Sequence, residues 1–240
     1  MATRQPIVCM KLFMTELTSI FAKTACLKTV KRILKKAGFC WKRMRNSLKG
    51  KRDEVLFRFF QQEVAYLQQQ AERGEIDLCF FDETGINLNP NVPYAWQPIG
   101  TTALLPAQRG NGTTILGILN PLKNVFTGNL YYGAANSACV IQTLDAFATS
   151  IDKKTILILD NATIHTAKSV REKIGQWRDK GLYLQFIPAY CPELNRIETL
   201  WKIMKHYWIR PQYYSSLEKL TQEVINILKS YGSQYSISFD

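Results

Sequence analysis

The chain alternates between two kinds of hydrophobic pattern. Apolar residues recur every three or four positions in some stretches and run without interruption in others. The first kind predicts helices over Cys26–Gly38, Asp53–Arg73, Ala138–Ile151, Thr166–Lys180, Glu193–Trp208 and Leu217–Tyr231. In the first of these, Leu27, Val30, Ile33 and Leu34 share a face opposite Lys and Arg, and Gly38 is the stop. In the second, the stripe is Val55, Leu56, Phe59, Phe60, Val64 and Leu67. Thr166 is the expected cap of the fourth. The second kind predicts strands at Ile76–Phe81, 113–121, 124–133, Thr155–Leu159 and 182–188. Pro121 to Asn124 makes a hairpin turn, and Thr84-Gly85 is read as a turn that ends the first strand. Residues 1–24 show neither period, and 86–112 read as a polar loop with one short strand.

The element order is three strands, then helix, strand, helix, strand, helix. That order implies an α/β fold with a mixed sheet and helices on both faces. Its expected divisions are a basic segment at 1–52, a linking helix at 53–74, a catalytic domain at 75–210, and a C-terminal helix and tail at 211–240.

Charge changes this picture at one end only. Residues 1–52 hold fourteen Lys or Arg against one acid, Glu16, while the rest of the chain holds seventeen bases and eighteen acids. The front is an attachment surface for a polyanion, or a solubilising face. Lys28, Lys31, Arg32, Lys35, Lys36, Lys42, Arg43 and Arg45 are the candidate DNA contacts, on a basic helix and the arm that trails it. A full helix-turn-helix also needs a preceding helix, which residues 1–24 do not display. The six cysteines are scattered, with no CxxC pair and no His at metal-ligand spacing, as in free thiols of a reducing compartment. No apolar run reaches the roughly 18 residues of a membrane span, and no signal peptide is recognisable. A cytoplasmic, nucleoid-associated protein is expected.

Candidate chemistry lies where the buried strands end. Ile76–Phe81 runs into Asp82, and Thr155–Leu159 runs into Asp160. An ionised carboxylate at such a tip is costly unless paired, and ligands of open α/β sheets gather at the carboxyl ends of strands. Each Asp is therefore a satisfied structural carboxylate or a site residue. Metal-assisted phosphodiester chemistry would need a third acid at the same edge. Glu193 and Glu198, in PAYCPELNRIETLWKIMK, are the candidates; Glu198 borders a face made of Ile197, Leu200, Trp201 and Met204, while Glu193 suits a helix N-terminus. Spacing alone leaves both open. His165 is either a phosphate-contacting or a packing residue. Asn161 either turns the loop or joins the site, and Glu83 points to the opposite face from Asp82 and is read as structural. Trp96, Tyr131 and Tyr132 either stack on bases or pack in the core.

The segments FFDETGI, LILDNATIH and PAYCPELNRIETLWKIMK, in this order, resemble the three catalytic blocks of DDE transposases, of the mariner-like superfamily and its bacterial insertion-sequence relatives. The resemblance covers about residues 26–240. It implies a ribonuclease-H-like fold, and it makes Asp82, Asp160 and Glu198 the catalytic, metal-holding acids, choosing Glu198 over Glu193. It further implies Mg2+ or Mn2+, in two ions, and DNA as partner, both transposon ends and target. A homodimer is expected because two ends must be held together. The implied function is a transposase that cuts DNA at element ends and joins them to a target. The alternatives are a non-cleaving DNA-binding remnant acting as a repressor, and a nuclease without strand transfer. Thirty-seven residues separate Asp160 from Glu198. The chain departs from the family at Arg196, where the relatives usually have proline, and in its front, where only the last helix of the DNA-binding region is recognisable.

Overall fold

The computed structural model describes residues 7, 10–41, 49–89, 99 and 112–239. The chain divides into two compact units, Met1–Ser47 and Leu48–Asp240.

In the first unit, helix α1 (Met10–Phe21) precedes α2 (Leu27–Lys36). Within the stretch that showed no period, Met10–Phe21 is thus helical. None of the residues of α1 is buried, so no core-facing stripe marks it. In α2, Val30 is buried and Leu34 half-buried, while Leu27 and Ile33 are exposed, a narrower inward face than the spacing suggests. Gly38 adopts φ +81°, the left-handed conformation that ends a helix without strain, and Phe39 N–H donates to the Leu34 carbonyl.

In the second unit, the described residues form one sheet, β1 (Asp77–Ile86), β2 (Thr113–Asn120), β3 (Val125–Tyr132), β4 (Thr155–Leu159) and β5 (Leu182–Phe186), in the order β3-β2-β1-β4-β5. Strands β1 to β3 form an antiparallel meander, and β4 and β5 add in parallel beside β1. β1 does not turn at Thr84-Gly85. It continues through both, with Gly85 opposite Thr114 and Ile86 opposite Thr113. The β2–β3 hairpin closes as expected, with Asn120 Oδ1 accepting from Lys123 N and Asn124 at φ +54°.

Alternation along β1 divides the core. Leu78, Phe80 and Ile86 face α3 (Glu54–Glu72), α6 (Ile197–Ile203) and α7 (Leu217–Lys229). Cys79 and Phe81 face α4 (Ser137–Ser150) and α5 (Lys168–Asp179). The sheet thus has helices on both faces. The inward residues of α3 are Phe57, Phe60, Val64, Leu67 and Ala71; Val55, Leu56 and Phe59, expected in the stripe, are exposed. Trp177 on α5 is fully buried, and its Nε1 donates to Asp145 Oδ1 on α4 at 2.8 Å, so the two helices share a satisfied polar contact. Thr166 does not cap α5: Ala167 holds that position, and Thr166 Oγ1 donates back to the Ala162 carbonyl.

The helix expected over Glu193–Trp208 is divided. A 3₁₀ turn at Pro192–Leu194 comes first, then α6, and then a π-helical turn at Met204–Trp208. Glu193 therefore lies outside α6 and sits 3.4 Å from Arg52. Tyr131 packs at the core edge and its hydroxyl lies 3.1 Å from Thr143 Oγ1, whereas Tyr132 is exposed. Trp96 is outside the described residues. No helix among the described residues is long and apolar enough to cross a membrane.

At Gly117 the sheet lies directly against the Trp201 ring of α6. A Cβ there would stand 2.6 Å from the Phe126 ring and 2.7 Å from that of Trp201. Gly117→Ala is expected to destabilise the fold by about 1–3 kcal/mol through overpacking, read as a lowered urea midpoint with an unchanged slope.

Candidate active site

Asp82 and Asp160 come to one edge because β1 and β4 are parallel neighbours. The last paired rung is Phe80 opposite Ile158, and each Asp lies two residues further along its strand. Asp82 is 8% exposed, since β1 is covered on both faces. Burial, followed by the charges of Glu198, Glu83 and Asp160, pushes its carboxyl up to about 8. Those causes identify the cluster: Asp82, Asp160 and Glu198, with Glu83 beside them.

Glu198 enters on the first turn of α6, whose inner side is Ile197, Leu200 and Trp201. Its side chain is exposed, as its place at the border of that face predicts. Even so, partial withdrawal of its carboxyl from water, followed by the charge of Asp160, raises its pKa, against an opposing effect from Lys205. Lys205 is half-buried in the π-helical turn; withdrawal from water lowers its pKa, while Glu198 and Asp82 act to raise it. Spacing gave no reason to single out Lys205. Its signal is purely spatial, arising from the way the turn follows α6.

Two neighbours of Glu198 fix where α6 begins. Asn195 is buried, and its Nδ2 donates to the Phe81 carbonyl, at the residue before Asp82, at 2.9 Å. Arg196 occupies the N-cap of α6 at φ −62°, the angle a proline would impose. Its Nη2 donates to Gln68 Oε1 at 2.7 Å, its Nη1 donates to the Phe239 carbonyl at 3.4 Å, and its guanidinium lies over the Phe239 ring. Arginine thus keeps proline's backbone angle and adds three contacts to α3 and the C-terminal segment.

The loop after β4 is held in several places. Asp160 Oδ1 accepts from Ala162 N at 3.0 Å, so Asp160 makes the Asx turn that Asn161 was a candidate for. Asn161 Nδ2 instead donates to the Ile187 carbonyl at 2.7 Å, tying the loop to the end of β5. His165 is fully buried, with Nδ1 2.7 Å from Asp160 Oδ1 and Nε2 2.9 Å from Glu83 Oε2. The Glu83 contact is a charge pair without good hydrogen-bond alignment. Glu83 does lie on the opposite face of β1 from Asp82, as alternation requires, but it is not a bystander, because His165 meets it there. Burial opposes the charge on His165, but its hydrogen bond to Asp160 and its pairing with Glu83, with the charges of both, prevail and raise its pKa to about 9. For Asp160, burial pushes upward and the His165 and Ala162 contacts, with the His165 charge, bring the net value below the usual carboxylate range.

Asp82, Asp160 and Glu198 present oxygen donors of the kind that Mg2+ or Mn2+ takes. The crowded negative charge that lifts Asp82 is charge that such a cation would neutralise. Among the described residues no group of three His, Cys, Asp or Glu is gathered closely enough to enclose a metal ion.

Of the candidate DNA contacts, Lys28, Lys31, Arg32, Lys35 and Lys36 are all exposed on α2. Lys42, Arg43 and Arg45 lie outside the described residues.

These shifts fix how stability depends on pH in the metal-free chain. Asp82 keeps its proton to about 8 when folded, against an ordinary carboxylate value of 3.8, so stability falls as pH rises through that window. His165 stabilises fully below 6.5, and that contribution is lost as pH rises through about 9. Asp160, lowered, acts at the other end, where its contribution is lost in acid. With chelator present, urea midpoints are expected to drop between about pH 6 and pH 9, and Asp82→Asn is expected to remove about half of the drop below pH 8, His165 supplying the rest.

Residues 77–221 match the family described as DDE superfamily endonuclease. The chain is 25% identical over 219 residues to the insertion element IS630 uncharacterized 39 kDa protein of Shigella sonnei, covering 84% of this chain and 58% of that protein. It thus spans less than two thirds of that relative's length. Among solved structures it is similar to the Mos1 strand transfer complex, at a TM-score of 0.59 and 16% identity, covering 97% of this chain and 73% of that one. It is also similar to the Mos1 transposase paired-end complex with left transposon end, at a TM-score of 0.52 and 15% identity, covering 95% and 78%. At such identities the likeness is one of fold, and the fold is ribonuclease-H-like. The family match takes in more than half of the chain, including both strand-end aspartates and Glu198, and the chain belongs to the DDE superfamily endonucleases.

Proposed function

We propose that this chain is an insertion-sequence transposase that cuts DNA at element ends and transfers the freed strand to a target. The observation that carries the reading is the crowding of Asp82, Asp160 and Glu198 at the carboxyl edge of β1 and β4. In this reading the three acids hold two divalent cations, Mg2+ or Mn2+. When bound, such ions supply Lewis-acid charge to the attacking and leaving oxygens of a phosphodiester. Asp82 and Asp160 are presented by rigid strands, and Glu198 by a helix fixed through Asn195 to β1. In the first step water attacks phosphorus, the bond from phosphorus to the 3′ oxygen breaks, and a 3′ hydroxyl and a 5′ phosphate result. In the second step that hydroxyl attacks a target phosphodiester. One bond to phosphorus forms and one breaks in each, and no covalent link to protein is needed.

The exposed basic face of α2, together with Lys42, Arg43 and Arg45, would bind DNA mainly through phosphates. α1 supplies the preceding helix that a helix-turn-helix reading needs. Two transposon ends call for two active sites, so a homodimer is part of the proposal. The structural relatives support it: they include paired-end and strand-transfer complexes of Mos1, among them paired-end complexes with Mn and with Mg.

Asp160→Asn is expected to bring magnesium-dependent nicking of a cognate end below detection while band retardation of the same DNA persists. Nicking that survives the change would refute the reading, and a wild-type chain that retards DNA without cutting it would be a non-cleaving binder. Replacing Lys31, Arg32, Lys35 or Lys36 by Ala should each lower the slope of log affinity against log salt by about 0.9, measured by fluorescence anisotropy.

A further inference from the structure

His165 and Glu83 have no part in the three-acid scheme, yet they sit at its centre. His165 is fully buried in the loop after β4, its ring 5.1 Å from that of Phe81. One ring nitrogen reaches Asp160 and the other reaches Glu83, the residue after Asp82. Asp160 Oδ1 receives both Ala162 N and His165 Nδ1, which commits that oxygen and leaves Oδ2 as the one available for ligation. Glu83 Oε2 and His165 Nε2 are both buried, and no other hydrogen bond satisfies them among the described residues. A carboxylate so placed is costly unless its pairing serves something.

The geometry points to a carboxylate–imidazole–carboxylate tie in which His165 and Glu83 are positioning residues, setting the orientation of Asp160 and its place relative to Asp82. The inference rests on the proposed metal-holding role of Asp160. The tie spans the two elements that carry the strand-end acids. β1 contributes Glu83 and Asp82 as neighbours, and the loop after β4 contributes Asp160 and His165 five residues apart. β2 pairs with β1 through Asp82 and beyond, but the rungs that join β1 to β4 stop before either Asp. Beyond that point the imidazole is the direct side-chain link between the two. It orients a ligand carboxylate through a hydrogen bond, as outer partners do in metal sites generally.

The test measures Mn2+ binding by electron paramagnetic resonance, alongside nicking as a function of Mn2+ concentration. His165→Phe keeps a ring but removes both contacts, and should raise the Mn2+ concentration for half-saturation and for half-maximal nicking about tenfold. His165→Asn, which can still donate to Asp160, should recover most of that loss, and Glu83→Gln should fall between. Unchanged Mn2+ half-saturation in His165→Phe overturns the tie. If His165→Phe shows no cooperative melt, Glu83→Gln decides alone, and unchanged half-saturation there overturns it equally. Asp160→Asn run in parallel separates the two levels. If it too binds Mn2+ normally, the metal-holding reading has failed; if it loses Mn2+ while the tie variants keep it, only the tie has.

Discussion

Repulsion among carboxylates at one sheet edge is the constraint that the second unit has to withstand. Asp82 carries it most heavily, lifted to about 8 by burial and by Glu198, Glu83 and Asp160. Such a group cannot be held by its own contacts. It is held because Phe80 and Phe81, immediately before it, are fully buried on opposite faces of the sheet. Each buried aromatic contributes roughly 1.5–3 kcal/mol of transfer free energy, so the strand's position is set by apolar packing on both sides. The acid is carried to the edge by its neighbours.

The same division of labour recurs around the site. Apolar residues fix the elements, and a few polar contacts fix their ends. Asn195 joins the start of α6 to the backbone just before Asp82, and Asn161 joins the β4 loop to the end of β5. These contacts are short and link residues far apart in sequence. They tie down the loop that carries Asp160 and the entry to the helix that carries Glu198, where no ladder of strand pairing can do so.

Much of this was legible from hydrophobic runs. A continuous apolar stretch ending in Asp, twice, gave both central strands and both strand-end acids, and the positions of Ile197, Leu200 and Trp201 put Glu198 at the border of a buried face. What stayed hidden has physical reasons. α1 buries none of its residues, so it carries no periodic stripe. Thr84-Gly85 reads locally as a turn, yet pairing with β2, about thirty residues on, holds it extended. The helix over Glu193–Trp208 has an unbroken apolar period, but Pro192 imposes a tighter turn at its start and its far end widens into a π turn. The linkage of His165 with Glu83 joins positions that no periodicity relates. The choice of Glu198 over Glu193 came from the resemblance, and the structure places Glu193 beside Arg52.

Arg196 carries a consequence for the order in which the molecule is built. The helix bearing Glu198 begins at a residue whose guanidinium rests on Phe239, forty-three positions later. Strands β1 to β5 can pair as soon as the ribosome has released residues as far as Phe186, but this support for α6 waits for the C-terminal segment. The seating of the helix that carries Glu198 thus depends on a segment made after β1 and β4, the strands that lead into Asp82 and Asp160.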